Sequence, residues 1–574
     1  METTLPILNF ECAKIVLHLF HMDQNTTCQH YLSKLQNTIK ECWDARALCN
    51  FQGECFTFAE LAVNIEKFHI LFELSGIKRG DKIAICAKNT ARWGVSFFAV
   101  NTYGAVAVPI LSDFHSDSIN HLVDHSECVA LFVDPDIWAR LDVKSMPNVR
   151  SAVNIKDFSI LYSSDGLIQD AYASLDSVFQ ARYPMGFSRE NVVYPTDNSE
   201  DLAVINYTSG TTSAPKGVML KYDSFSAMVD YAQRNIPAFP SDTLVSMLPM
   251  AHMYGMAFEL TYPLCSGVSI YFLGKTPSPT FLLKAMKEVT PYMVVTVPLV
   301  MEKVYKSSLK PVLSRKPVKF ATRIPLVKKR VYKKIGAGLI EAFGGKVRYF
   351  IMGGAPLNPE VERLFKKIRL PYMVGYGMTE ACPLLAYEDP SRFVMGSCGK
   401  AVDCAEVRID SEDPQHIAGE IQARGRNICV GYFKNPEASA NAFTDDGFLR
   451  TGDLGIMDSK GNIFIKGRSK SLILSANGQN IYPEEIEAII NGMDYVAESL
   501  VVDRASKLVA MVYLDEAAIK KSGLDAETVA DIPENVRVCA NRQLPMYSQI
   551  AKVEVVAAPF EKTPKMSIKR FLYK

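Results

Sequence analysis

Tyr207-Thr-Ser-Gly-Thr-Thr-Ser-Ala-Pro-Lys-Gly-Val-Met-Leu220 packs three threonines, two serines, two glycines and one lysine into the eleven residues from Thr208 to Val218. It follows an apolar run, Leu202-Ala-Val-Ile-Asn206, that reads as a short buried strand. Hydroxyls and backbone N–H groups of such a loop can wrap phosphate oxygens, and glycines let the backbone come close. Lys216 adds a point charge suited to phosphate. The loop is not a Walker A motif, because Gly217 rather than Ser or Thr follows the lysine. Taken alone, the same composition also describes a Ser/Thr/Gly linker.

Outward from this loop the chain alternates helix and strand. Upstream, residues 58–72 have helical apolar spacing, Lys82–Cys86 reads as a strand, and residues 93–102 read as a helix. Gly104–Pro109 and Val129–Val133 read as further buried strands, so a parallel α/β layer is expected. Downstream, Leu248-Pro-Met-Ala-His-Met-Tyr-Gly255 carries one histidine, His252, and an apolar strand is expected to follow; a packed loop and a chemical role both remain open for it. Val347–Met352 ends in Gly353-Gly-Ala-Pro356, and Tyr372–Val374 ends in Gly375-Tyr-Gly-Met-Thr-Glu380. Glycine-bearing loops at the carboxyl ends of neighbouring strands are where α/β sheets hold ligands. There Tyr376 offers a flat ring to a base and Glu380 a hard oxygen to Mg²⁺. Between these two strands, Asn358 caps a helix begun by Pro359. Further on, Gly447–Asp453 places an aspartate in a loop, where a carboxylate can accept ribose hydroxyls. Asp458–Asn462 reads as a hairpin turn, Ser471–Ser475 as a strand and Pro483–Glu487 as a helix start, and the remainder to Lys574 reads as a small α+β domain.

A length of 574 residues implies several domains or subdomains. Hydrophobic content of 48% and charged content of 22% fit a globular enzyme, and a net charge of +1 argues against nucleic-acid binding. Thirteen cysteines without CxxC pairs suggest neither a zinc site nor a disulfide framework, and a reducing, cytoplasmic setting is expected. His115, His121 and His125 lack the carboxylate or cysteine that would complete a metal set, so surface or capping roles are expected. Residues 1–27 read as an N-terminal extension, with Met22 a second candidate start. No transmembrane helix is expected, because no apolar run reaches about 18 residues. Between Lys303 and Lys334 stand twelve Lys/Arg and no acid. This run is either a solvated face or a patch that meets anionic lipid headgroups, or the phosphates of a bulky ligand.

The set YTSGTTSAPKG, GGAP, GYGMTE, TGD, GRSK and NGQNIYPEEIE, in this order, resembles the adenylate-forming superfamily, and within it the bacterial long-chain fatty-acid–CoA ligases. The resemblance covers roughly residues 50–574, and residues 560–570 look like the family's C-terminal motif. It implies a large ATP- and acyl-binding domain over residues 28–466 and a small mobile domain over 471–574 that turns about a hinge near Lys470. It implies an acyl-adenylate formed from ATP and a carboxylate, then transfer to coenzyme A, with an acyl carrier protein as the alternative acceptor. By position, Thr208, Ser209, Gly210, Thr211, Thr212 and Lys216 grip the phosphates. Gly353, Gly354 and Ala355 border the adenine with Tyr376 and Gly377. Thr379 holds the α-phosphate, Glu380 the Mg²⁺, and Asp453 with Arg468 the ribose. His252 gates the carboxylate pocket, and Gly478 faces the pantetheine arm of coenzyme A.

Two positions depart from the pattern. Ser213 stands where glycine is usual, and Ser567 stands where the adenylation lysine is usual, flanked by Lys565 and Lys569 as substitutes. Met253–Phe258 contains no acid to pair an amino group, which argues against amino-acid substrates. Gly377 stands where acetate-activating relatives place tryptophan, so a deep pocket for a long apolar fatty acid is implied. The basic run would then meet a membrane, the protein being cytoplasmic or peripheral at the inner membrane face. A catalytically impaired acyl or nucleotide binder is the reading that Ser567 raises.

Overall fold

Two seven-stranded sheets, each mostly parallel, carry the larger part of the molecule. The computed structural model describes residues 29–208, 215–274, 278–474, 480–504, 507–562 and 568–573. The first sheet runs in spatial order Ile160–Ser163, Ser151–Asn154, Cys128–Val133, Lys82–Cys86, Val106–Pro109, Leu202–Thr208 and Lys216–Lys221. The second runs Tyr372–Val374, Tyr349–Met352, Met293–Thr296, Thr243–Ser246, Ser269–Phe272, Arg46–Asn50 and Cys55–Thr57. Their inner strands are almost wholly buried, as strands covered by helices on both faces must be.

Helix Ala91–Tyr103 lies between the sheets and is buried along almost its whole length, with Trp93, Phe97 and Phe98 fully buried. A Cβ at Gly94 would stand 2.8 Å from Leu48 of the second sheet, so glycine permits the close approach. One continuous core cluster joins both sheets. Two smaller antiparallel sheets follow, Tyr376–Gly377 with Leu384–Tyr387 and Lys400–Ala401, and Ala405–Asp410 with Gly419–Gly425, Leu449–Met457 and Ile463–Arg468. Residues 481–550 have a separate core under the strands Val496–Arg504, Lys507–Leu514 and Lys552–Val555. Among the described residues, no helix is long and apolar enough to cross a membrane.

Several local expectations change. Both described ends of the opening stretch are strands rather than loop: Leu202–Thr208 pairs antiparallel with Lys216–Lys221, and Lys216 stands opposite Thr208. Asp453 lies on a strand, not in a loop. Residues 253–264 form an unbroken helical stretch with a π-helical middle, and the strand comes only at Ser269–Phe272. Every side chain from Gly255 to Leu264 is buried, and an apolar run buried on all sides does not distinguish helix from strand. Of the strand expected over 471–475, Ile473–Leu474 is extended, and Ser471 instead closes a tight turn at Ser469–Ser471, while Ser475 lies outside the described residues. Cys49 and Cys55 form a disulfide that spacing did not suggest, because the hairpin of Arg46–Asn50 with Cys55–Thr57 sets them directly opposite.

The basic run lies in a series of helices from Pro298 to Ala342, short ones up to Ala321 and then an 18-residue helix Pro325–Ala342, with Pro311, Pro317 and Pro325 in first turns rather than breaking them. Two of its cations are engaged by residues 491–496. Lys306 Nζ donates to the carbonyl of Asn491 (2.8 Å) at the end of helix Pro483–Asn491 and to that of Val496 (3.3 Å) at the start of the next strand, and Lys310 pairs with Asp494. A cation at a helix carboxyl terminus satisfies orphan carbonyls and meets the negative end of the dipole.

Candidate functional site

Strand ends from both sheets converge. Leu202–Thr208 leads to Lys216, Thr243–Ser246 leads to His252, Tyr349–Met352 leads to Gly353, and Tyr372–Val374 leads to Tyr376 and Glu380. Gly353 N–H donates to Thr296 O (3.2 Å) and Gly375 N–H to Met352 O (2.8 Å), which ties the glycine loops to the sheet edge. Gly353 is buried, whereas Gly354, in a left-handed conformation at φ +84°, and Ala355 are exposed. A Cβ at Gly353 would meet the Tyr254 ring at 3.3 Å.

The first cluster joins three segments remote in sequence. Residues 430–433 run along strand Lys216–Lys221: Val430 N–H donates to Met219 O, Met219 N–H to Gly431 O, and Phe433 N–H to Gly217 O. That added edge sets the Tyr432 ring beneath Lys216, with Nζ 4.8 Å from the ring centroid. The Tyr432 hydroxyl donates to Glu380 Oε1 at 3.0 Å. Cys429 N–H donates to Glu380 O (2.8 Å), so main chain and side chain both hold the turn Thr379–Ala381. Burial and the adjacent Glu380 carboxylate push the Tyr432 hydroxyl above its ordinary pKa, so it remains a donor. Tyr432 was absent from the sequence reading; its partners lie 52 and 216 positions away, and no motif flags it.

The second cluster surrounds Asp453, which is 5% exposed. The Tyr376 hydroxyl donates to Asp453 Oδ2 at 2.8 Å, and Arg468 Nε stands 3.1 Å from Oδ1. Asp453 and Arg468 are cross-strand partners. Burial pushes the Asp453 carboxyl up, while Arg468 and Tyr376 pull it down and Glu484 adds to the upward push. The buried Tyr376 ring thus serves the aspartate with its hydroxyl as well as offering a face to a base. Gly377 is demanded by the backbone, since a Cβ there would stand 1.8 Å from Pro383 O. The hairpin of Tyr376–Gly377 with Leu384–Tyr387 therefore excludes a side chain whatever the pocket requires.

The third cluster braces His252. Asn89 grips the segment before it, donating to Leu248 O (2.6 Å) and accepting from Met250 N–H (2.9 Å). Asn206, fully buried just before the opening stretch, donates to Ala251 O at 2.8 Å. Glu259, also fully buried, accepts from Ser246 Oγ (3.1 Å), Met247 N–H (2.9 Å) and Leu248 N–H (2.8 Å). A polar residue inside an apolar run is the signal that could have singled out Asn206 and Glu259. His125 hydrogen-bonds the Tyr207 hydroxyl through Nδ1 at 2.7 Å, which anchors the strand that enters the hairpin.

The C-terminal segment lies on helix Pro483–Asn491. Arg570 pairs with Glu487 and stands 3.6 Å from Glu484. Burial pushes Glu487 up to about 7 against the pull of Arg570. Lys569 stands 3.4 Å from Glu561. Lys470 is exposed at the Ser469–Ser471 turn. Ser209, Gly210, Thr211, Thr212, Ser213, Gly478, Lys565 and Ser567 lie outside the described residues. Among the described residues no group of three or more His, Cys, Asp or Glu forms a metal site. A carboxylate such as Glu380 suits Mg²⁺, which takes one or two protein oxygens and completes its shell from phosphates and water.

Comparison with known proteins gives a consistent result. The chain is 27% identical over 468 residues to long-chain-fatty-acid–CoA ligase 1 of Saccharomyces cerevisiae, covering 74% of this chain and 67% of that protein. It is 25% identical over 598 residues to the chloroplastic long-chain-fatty-acid–[acyl-carrier-protein] ligase AEE15 of Arabidopsis thaliana, covering 90% and 80%. Its fold matches that of ATP-bound MatB from Rhodopseudomonas palustris with a TM-score of 0.73 at 24% identity, over 95% of this chain and 97% of the other. The AMP-binding enzyme family matches residues 35–433 and the AMP-binding enzyme C-terminal domain matches residues 470–573, so the chain belongs to the AMP-binding enzyme family.

Proposed function

We propose that the protein activates a fatty acid with ATP and transfers the acyl group to coenzyme A. A carboxylate oxygen attacks the α-phosphorus, the bond to the leaving phosphate breaks, and acyl-adenylate and pyrophosphate result. The coenzyme A sulfur then attacks the acyl carbon, the thiol proton is lost, and AMP leaves. One observation carries the choice of an apolar carboxylate. Glu259 is the only acid in residues 253–264, and its carboxyl group is taken up by Ser246, Met247 and Leu248. Nothing on that helix is left to pair a substrate ammonium group, and its other side chains are overwhelmingly apolar. The names of the yeast and Arabidopsis relatives support a long-chain acid.

In this reading Thr208 and Lys216, with Ser209–Thr212, hold the phosphates. Asp453 and Arg468 take the ribose, Gly353–Ala355 and Tyr376 the adenine, and Thr379 the α-phosphate. Mg²⁺ held at Glu380 would neutralise phosphate charge. His252 borders the substrate carboxylate. Residues 28–466 bind ATP and the acyl chain, residues 471–574 turn about Lys470, Gly478 meets coenzyme A, and Lys569 or Lys565 supplies the cation usual at Ser567. Fatty acids partition into bilayers, so peripheral membrane contact through the basic run Lys303–Lys334, apart from Lys306 and Lys310, belongs to the same reading. The carrier-protein ligase among the relatives favours acyl carrier protein as the alternative acceptor.

The test is carboxylate-dependent ATP–pyrophosphate exchange over a panel of chain lengths, followed by thioester formation. Exchange should strengthen with chain length, each buried methylene adding about 0.8 kcal/mol, and amino acids should be inert. Silence with every carboxylate would sink the proposal, and exchange without transfer to coenzyme A would shift it to the carrier protein.

Tyr432→Phe keeps the ring under Lys216 and deletes only the hydroxyl donated to Glu380. A hydrogen bond to a charged group contributes about 1.5–3 kcal/mol, so the KM for MgATP should rise at least about tenfold, with Tyr432→Ala worse. An unchanged KM in both variants would remove Tyr432 from the site.

A further inference from the structure

The first part of the basic surface from Arg315 to Lys334 has little of the protein beneath it. Helix Lys316–Ala321 has no buried residue, nor has Lys310–Ser314 before it. A six-residue helix has little stability of its own in water, and yet Phe320 on it is 67% exposed and neighbouring Ile324 is 41% exposed. All nine cations from Arg315 to Lys334 are exposed, and none has an ion-pair partner among the described residues. No acid interrupts the run. Lys306 and Lys310 are excluded from this surface, since they are engaged by residues 491–496.

Two chemistries therefore occur within one stretch of twenty residues: unpaired positive charge, and the exposed apolar side chains of Phe320 and Ile324. A polyanion alone uses the first and leaves the second unexplained. A bilayer with anionic headgroups uses both, because cations on long stems sit at the headgroups while apolar side chains enter the acyl boundary.

We propose that this face docks the protein onto an anionic membrane, with Phe320 and Ile324 entering the lipid and the nine cations lying in the headgroup layer. Its purpose rests on the fatty-acid reading above, since the substrate would be collected from the bilayer. The binding itself does not depend on that reading.

The experiment is co-sedimentation of the full chain with vesicles of phosphatidylcholine alone or with phosphatidylserine added. Binding is expected only with phosphatidylserine, and weaker at high salt. Each cation near an anionic surface is worth about fivefold in partitioning, so joint replacement of Lys328, Lys329 and Arg330 by glutamine should weaken binding about a hundredfold. Phe320→Ser with Ile324→Ser should weaken it too, while exchange on a soluble medium-chain acid stays unchanged. No binding to anionic vesicles, or binding that the variants leave unaltered, overturns the proposal. Capture of a purified acidic acyl carrier protein without vesicle binding would reassign the face to a protein partner. Vesicle binding without exchange on any carboxylate would sink the ligase reading and leave this one standing.

Discussion

Glu259→Ala is expected to lower unfolding free energy by about 3–5 kcal/mol, because it strands buried donors on Ser246, Met247 and Leu248 that cost about 1–3 kcal/mol each when unpaired. The cost should appear as a lower denaturant midpoint at unchanged slope. Glu259→Gln should behave differently. Burial pushes the Glu259 carboxyl up to about 8, with the donors from Met247, Leu248 and Ser246 pulling the other way, so at neutral pH the folded protein holds it protonated and glutamine is close to an isostere. The pH dependence follows in sign. Below about pH 4.5 both states carry the proton. Between about 4.5 and 8 the unfolded chain loses it while the folded chain keeps it, so stability falls as pH rises. Above about 8 both are ionised and the slope ends. At about 1.36 kcal/mol per pH unit the total is on the order of 5 kcal/mol. The wild-type minus Glu259→Gln difference in unfolding free energy should therefore drift across this window, and a difference that stays flat would show that Glu259 is ionised in the fold.

Asp453→Ala is expected to reduce ATP–pyrophosphate exchange by about 10²–10³-fold, with a stability loss of about 1–3 kcal/mol from the buried Tyr376 hydroxyl left unpaired. Its carboxylate is buried, yet Tyr376 and Arg468 leave it oriented to accept further donors. Two charge-assisted bonds to a ribose diol, at about 1.5–3 kcal/mol each, supply a loss of that size. The Arg468 side chain is 65% exposed and can return to water when the carboxylate is removed, which limits the structural penalty. Arg468→Ala should cost less than Asp453→Ala, because it orients the carboxylate without replacing it. Asp453 would be no ribose ligand if exchange with ATP in the alanine variant stayed within about threefold of wild type.

Local sequence carried the strands well where an apolar run had clear punctuation. Lys82–Cys86 occupies the residues expected of it, and Asn358 caps the helix begun by Pro359, accepting from Glu360 N–H at 2.8 Å. These features are local, since burial pattern and capping chemistry act within a few residues. The strand expected after Gly255 stands at Ser269–Phe272, but the helical stretch Met253–Leu264 before it gave no signal, because residues buried on every side carry no periodicity to choose helix over strand. Cys49 and Cys55 escaped because only the hairpin makes them opposite neighbours.

For the site, composition and motif order brought Lys216, Glu380, Asp453 and Arg468 onto one list of candidates. What the fold added is which groups hold them. Tyr432 joins Lys216 to Glu380 only because residues 430–433 extend the edge of the first sheet. Glu259, Asn89 and Asn206 converge on the backbone around His252 from three separate elements. The sequence by itself thus determined the α/β class and the residue types that can grip a nucleotide, because strand burial and loop chemistry are written in short stretches. The tertiary structure alone decided which side chains orient those residues, because hydrogen bonds and ring contacts between segments tens to hundreds of positions apart depend on sheet register and strand order, which no local pattern encodes.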